Sequence, residues 1–244
     1  MIGRFRSEDE IFYGEIEDGH VYPKGGAPAG IFELSELYVL PPASPSKIVC
    51  VGLNYRDHAE ELHMEVPETP ILFLKPPSAV IGHKDKIIYP ASSSRVEYEA
   101  ELAVVIGKRC KNISASKAAD VIAGYTCFND VTARDLQQID GQWTRAKGFD
   151  TFAAFGPYLA FPDEVDVTDA KIACRVNGET RQASSTSNLI FDVPYLIEFI
   201  TEIMTLEVGD VITTGTPPGV GELQRGDMVE VEIQGIGILR NEVV

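Results

Sequence analysis

Residues 96 to 107 read V-E-Y-E-A-E-L-A-V-V-I-G, and they constrain the fold more than any other stretch. Residues 102 to 106 form an apolar, partly β-branched run that stops at Gly107, the pattern of a strand. Along a strand, residues two apart share a face. Glu97, Glu99 and Glu101 therefore line up with Ala103 and Val105, while Leu102, Val104 and Ile106 face the other way. Both faces are apolar at the far end, so Glu101 is expected to be half buried. Carboxylates carried together into a low-dielectric region repel one another and lose hydration. A positive partner must offset that, and a hard divalent cation is the economical answer. An edge strand guarded by charges is the competing account.

A second segment tips the balance. Residues 124 to 130, G-Y-T-C-F-N-D, read as a strand ending at Asp130. Arg134 and Gln137 follow at i+4 and i+7, one face of a helix starting at that carboxylate. Lys147 lies shortly after, in Q-W-T-R-A-K-G-F-D at 142 to 150. Two strand carboxylates, a third at a strand end, and Arg, Gln and Lys close behind describe an oxygen-ligated metal site facing an anionic substrate.

Of the 244 residues, 44% are hydrophobic, enough for a sizeable core in one large domain or one domain with a small lobe. The net charge of −16 repels a phosphate backbone, so nucleic acid is not an expected partner. No apolar run reaches the roughly 18 residues of a membrane span. The opening M-I-G-R-F-R-S-E-D-E has no apolar core of a secretory signal. Cys50, Cys110, Cys127 and Cys174 are scattered, with no C-x-x-C pair. They fit small buried hydrophobes in a reducing cytoplasm rather than a zinc knuckle or a disulfide framework.

Residues 1 to 45 read as short strands and turns with a loop over 24 to 30, a small N-terminal lobe without chemistry of its own. The turn-rich P-P-A-S-P-S at 41 to 46 reads as a linker. A short strand at 48 to 52 leads into L-N-Y-R-D-H-A-E-E-L, residues 53 to 62. If this is a helix, His58 and Glu61 share a face. A carboxylate accepting from one imidazole nitrogen fixes the tautomer and leaves the other nitrogen as a base. Ordinary charge pairing on an exposed helix is the plainer account, and Glu60 and His63 are alternative partners. Residues 71 to 74 read as a strand, followed by Lys75 in a stiff K-P-P-S loop, a surface lysine that could reach a site. A helix is expected over 115 to 124, a hairpin over 171 to 183 around N-G-E, and a core helix over 190 to 204. The strand at 211 to 214 ends in G-T-P-P-G-V-G, which is neither a P-loop nor a dinucleotide fingerprint. Its backbone N–H groups and the Thr216 hydroxyl could hold a carboxylate, or it is a tight turn.

With these pieces in order, residues 46 to 244 resemble the fumarylacetoacetate hydrolase family. The matching segments are G-L-N-Y-R-D-H-A-E-E, F-L-K-P-P-S, Y-E-A-E-L-A-V-V-I-G-K, N-D-V-T-A-R-D-L-Q, T-R-A-K-G-F-D-T-F, G-P-Y-L, V-N-G-E and G-D-V-I-T-T-G-T-P-P-G-V-G. The resemblance implies that Glu99 and Glu101 of E-x-E, with Asp130, hold Mg²⁺ or Mn²⁺, with Ca²⁺ also compatible. It implies a His58–Glu61 dyad acting with Lys147 as the catalytic groups, and Arg134, Gln137 and Thr216 contacting substrate. Glu97 falls outside the E-x-E pair and reads as a supporting residue. The implied fold is mainly β, a mixed β-sandwich or roll of curled sheets with few helices. It comprises a small lobe over 1 to 45 and a catalytic domain over 46 to 244, assembled as a homodimer. The chain is too short for the large N-terminal domain of the fumarylacetoacetases proper, which turns the expected substrate away from fumarylacetoacetate itself. Ala154 stands where relatives often carry proline, and a small loop change is expected there.

The expected activity is that of a cytoplasmic, metal-dependent enzyme acting on a small 2-oxo acid or diacid, as in aromatic-acid catabolism. Acylpyruvate hydrolysis, decarboxylation and isomerisation of a 2-hydroxy-diene-dioate all fit such a site. Hydration of a 2-hydroxy-dienoate is the enzymatic alternative. A non-catalytic divalent-cation module is the alternative of another class, disfavoured by H-x-x-E, since a binding module needs no base. The polar segment 55 to 66 is expected to be mobile and to close over bound acid.

Overall fold

In the computed structural model, which describes residues 1–25 and 28–244, the apolar run after Glu99 forms the strand Ala100–Ile106, buried along its whole length. Gly26 and Ala27, inside the loop expected over 24 to 30, lie outside the described residues. The two faces of Ala100–Ile106 serve two cores. Leu102, Val104 and Ile106 join Ile172, Cys174, Val231 and Leu239, whereas Ala103 and Val105 join Ile48, Phe128, Phe155 and Val211. Each fully buried Leu, Ile or Val stabilises by about 1.5–3 kcal/mol, so a polar residue anywhere after Glu101 would be costly.

Around that strand runs a large mixed sheet. Its path is Ile2–Ser7, Ala153–Ala160, Ile122–Asp130, Ala100–Ile106, Val211–Thr213, Ile48–Gly52 and Ile71–Lys75. Most pairings are antiparallel; Val211–Thr213 runs parallel to Ile48–Gly52, and Val80–Ile81 parallel to Ala153–Ala160. A five-stranded sheet (Glu179–Ser185, Lys171–Val176, Met228–Ile233, Gly237–Val243, Lys86–Ile87) supplies the opposite wall of the first core. The hairpin expected around N-G-E is its first pair. The fold is thus mainly β, with curled mixed sheets and few helices. The N-terminal strands Ile2–Ser7, Glu10–Glu17, His20–Pro23 and Phe32–Glu33 extend the large sheet, with Ile2 opposite Leu159. They also enclose a cluster of their own, Phe5, Phe12, Val21 and Leu37.

Helices are short. Val193–Ile203 buries Val193, Leu196, Ile197 and Ile200 of the apolar stripe expected there, whereas Ile203, its last member, is exposed at the helix end; Asp192 caps the helix by accepting from Tyr195 N at 2.9 Å. The helix expected over 115 to 124 is a 3₁₀ turn, Ala115–Val121, because the next strand already begins at Ile122. Ala154 lies within a strand opposite Asn129 rather than in a loop. Among the described residues, no helix is long and apolar enough to cross a membrane.

Two further elements differ from expectation, and both differences shape the site. The single strand over 96 to 106 is broken at Glu99. Val96–Tyr98 leaves the large sheet to pair with Thr132–Ala133 and Gly221–Glu222. The helix expected to start at Asp130 starts at Arg134 instead (Arg134–Asp140), because 132–133 is held extended by that pairing. Asp130 ends the strand Ile122–Asp130.

Candidate active site

The break at Glu99 and the end of the strand at Asp130 meet: Asp130 N donates to Glu99 O at 2.9 Å. That junction brings carboxylate oxygens of Glu99, Glu101 and Asp130 within 4.8 Å of one another, all three residues buried. Glu97 is buried beside them, 2% exposed. Besides Arg95, which bonds to Glu97, three cations face these four carboxylates. Lys147 Nζ donates to Glu99 Oε2 and Asp130 Oδ2, each at 2.8 Å. Arg134 donates through Nε to Glu97 Oε2 at 2.6 Å, through Nη2 to Glu99 Oε1 and through Nη1 to the side-chain Oε1 of Gln137. Lys75 bonds to Asp130 and to Val131 O.

Lys75 corrects the surface reading. Its side chain is fully buried at the end of the strand Ile71–Lys75, and it holds Asp130 from the side opposite Lys147. Burial pushes its pKa down, with the Asp130 charge working against that. Arg134 and Gln137 reach the site as neighbours on a helix that Asp130 does not belong to, so the i, i+4, i+7 spacing converges by a different geometry from the one expected.

Glu101 is the odd carboxylate. Among the described residues no cation bonds to it; its hydrogen-bond partner is Gly215 N, at 2.9 Å. Burial pushes its pKa well up, and the charges of Asp130 and Glu99 push it further. Burial also acts to raise Glu99, but Lys147 and Arg134 outweigh it and hold that carboxyl down to about 2. A buried carboxylate without a counter-charge, next to two others, is the donor set that a hard divalent cation satisfies. Gly215 must be glycine to make this contact. Its φ is +85°, and a Cβ would meet Asn54 Cβ at 2.9 Å.

The dyad forms as expected. In the helix Arg56–Glu61, His58 Nδ1 donates to Glu61 Oε2 at 2.8 Å, which leaves Nε2 as the basic nitrogen. Glu61 Oε1 accepts from Gly219 N at 3.1 Å, tying the dyad to the Gly/Pro loop. Gly219 has φ +92°, and a Cβ there would meet Arg181 O at 2.2 Å. Thr216 lies in the same loop, but its hydroxyl is committed. It donates to Ala100 O at 2.9 Å and accepts from Gln182 Nε2 at 2.8 Å. Gln182 is oriented by accepting from Ala100 N at 3.0 Å, so the Thr216 proton is turned away from any incoming carboxylate. Gln182, buried in the hairpin, is a supporting residue that no sequence pattern marks.

A cavity of about 380 Å³ opens over Glu99 and Glu101, with Asp130 buried behind them. Glu99, Glu101, Arg134, Lys147 and His58 line its polar side; Leu62, Met64, Ile71, Phe73 and Trp143 form an apolar wall. Phe73 also sits under Lys147, the ammonium 4.9 Å from its ring centroid.

The family model for the fumarylacetoacetate hydrolase C-terminal region matches residues 47–244. The chain belongs to the fumarylacetoacetate hydrolase family. Its relatives in that family include enzymes of several reaction types. The mitochondrial oxaloacetate tautomerase of Rattus norvegicus is 44% identical over 85% of this chain and 69% of its own length. The crystal structure of 5-carboxymethyl-2-hydroxymuconate delta-isomerase from Mycobacterium smegmatis matches with a TM-score of 0.93 at 44% identity, over 100% of this chain and 98% of that one. A fumarylacetoacetate hydrolase from Exiguobacterium antarcticum matches with a TM-score of 0.88 at 36% identity, over 99% of this chain and 98% of that one.

Proposed function

We propose that this chain is a divalent-metal-dependent enzyme that promotes proton shifts or C–C cleavage in small 2-oxo acids and diacids. The observation that carries the reading is the buried triad Glu99, Glu101 and Asp130, with no cation bonded to Glu101 among the described residues and His58 of the His58–Glu61 dyad lining the same cavity. The triad would hold Mg²⁺ or Mn²⁺. A cation bound there supplies Lewis acidity to the carboxylate and 2-oxo oxygens of a chelating acid.

The remaining roles fall to the chain's own groups. Arg134 and Lys147 orient Glu99, and Lys147 adds fixed positive charge where the substrate becomes an enolate. His58 Nε2 takes or returns the proton, with Glu61 holding the ring in place. The apolar wall of Phe73, Trp143 and Leu62 keeps bulk water from that proton. Among the relatives, the names tautomerase and isomerase favour a proton shift as the reaction of this chain. A cation-binding module would have no use for the dyad. We also propose a cytoplasmic homodimer.

The test is a panel of 2-oxo acids and diacids assayed with Mg²⁺ or Mn²⁺ and after exhaustive chelation. Turnover or enol–keto exchange that disappears on chelation and returns with metal supports the reading. Undiminished activity after chelation overturns it.

A further inference from the structure

Arg95 stands next to the site and has no part in the chemistry above. Its guanidinium holds Glu97 Oε1 through Nε and Nη2, each at 2.6 Å, which leaves the outer edge with Nη1 free to donate. The other oxygen of the same carboxylate accepts from Arg134. Glu97 is 2% exposed, whereas the Arg95 side chain is 54% exposed. A buried carboxylate thus holds two guanidinium groups side by side, one inner and committed, one outer and open.

Both arginines line a second cavity of about 350 Å³. It shares His58, Leu62, Arg134 and Gln138 with the first, so the two spaces meet around His58. They differ in character. The first leads from the triad to the apolar wall. The second leads past His58 to Arg95, Arg134 and Gln138, with Glu61 at its side. Glu61 is occupied by His58 and Gly219 N. Arg134 has spent every nitrogen on Glu97, Glu99 and Gln137. The guanidinium with donors left over is that of Arg95.

We infer that this second cavity is the subsite for the distal carboxylate of a diacid, and that Arg95 is the residue that grips it. The inference rests on the reading of the triad as the anchor for the 2-oxo acid end. A planar guanidinium fork held in place by a buried carboxylate matches a carboxylate bidentately. Glu97 is thereby the positioning residue of the subsite. The Arg134 guanidinium and the Glu97 carboxylate stand between Glu99 and Arg95, so a diacid reaching both ends passes along His58, where the two cavities meet. A monoacid tail of the same length has the apolar wall to lie against instead.

The experiment is calorimetric binding of 2-oxoadipate and 2-oxohexanoate, six-carbon acids that differ in the distal carboxylate, with Mg²⁺ and after chelation. The wild-type chain is expected to bind the diacid about tenfold more tightly than the monoacid. Arg95→Gln should abolish that preference, and Arg95→Lys should keep part of it. Equal affinity for the two acids, or a preference that survives Arg95→Gln, overturns the subsite while leaving the metal-anchored reading in place. Binding that ignores Mg²⁺ would count against the anchor, and the subsite would fall with it.

Discussion

Lys75 is a cation with no route to water, and its fate tests the electrostatics of the site. Asp130 carries a lysine on each oxygen. Removing one partner of a buried pair leaves the other charge uncompensated, which costs about 3–5 kcal/mol. Lys75→Met should lower the unfolding free energy by that amount in urea denaturation; a loss under about 1 kcal/mol would mean Lys147 alone suffices for Asp130. The stiff K-P-P-S loop suggests that Lys75 could reach a site, but the sequence shows neither its burial nor its partner. A lone lysine between Leu74 and Pro76 has no partner within a strand's or helix's reach, and its burial follows from pairing opposite Ile48. His58, by contrast, is legible because Glu61 lies within one helical turn. His58→Ala should leave Mn²⁺ affinity within about twofold and lower kcat by roughly 10²–10⁴ for any step needing proton transfer. Equal loss of metal binding would place His58 among the ligands. Thr216 is the residue whose type was suggestive and whose geometry was not: its hydroxyl serves Ala100 rather than an open site.

At the scale of elements, the strand break at Glu99 and the late start of the Arg134–Asp140 helix have one cause. Val96–Tyr98 and Thr132–Ala133 pair with each other in a small separate sheet. That pairing depends on contacts far apart in sequence, so no local pattern shows it. The same helix is tied to the turn that carries Arg95. Asp135 accepts from Ser94 N at 2.8 Å and from Ser93 Oγ at 2.7 Å. Burial acts to raise the Asp135 pKa slightly, but these bonds hold it down to about 2, against an ordinary 3.8. A depressed carboxyl pKa gives stability that is full above the unfolded value and fades as pH falls through the folded one. Asp135→Ala should therefore cost about 1 kcal/mol at pH 7, with the gap narrowing from pH 4 toward 2. A gap that stays constant with pH would contradict this. The segment around His58 divides in two. Its start is pinned, Asp57 to Ser184 and Asn188, Arg56 to Leu189 O. Residues 61 to 69 are almost all exposed. Residues 61 to 64 are still tied to the helix and to Gly219, so closure is expected of 65 to 69 rather than of the whole of 55 to 66. Hydrogen exchange there should slow on adding Mg²⁺ with oxalate, and unchanged protection would mean the segment does not close.

For the whole molecule, the layered β architecture was legible because so many segments keep their order, and because the run after Glu101 is apolar on both faces. The route by which the N-terminal strands join the large sheet was not, since it hangs on Ile2 meeting Leu159 far along the chain. The sheet ends at Ile71–Lys75, an edge strand with Ile71 and Leu74 exposed at 45% and 47%. Open apolar edges are normally covered. Sedimentation equilibrium should give twice the mass of the chain, and Leu74→Glu should shift it toward the monomer; a monomeric wild-type chain would rule the homodimer out. The central claim is that Glu99, Glu101 and Asp130 hold one divalent cation. Titrating Mn²⁺ into the wild-type chain and Glu101→Gln, with free ion read by electron paramagnetic resonance, tests it most directly. The account predicts one ion per wild-type chain and at least about tenfold weaker binding in the variant. Equal Mn²⁺ affinity in the two chains, or no bound ion in the wild type, would contradict it.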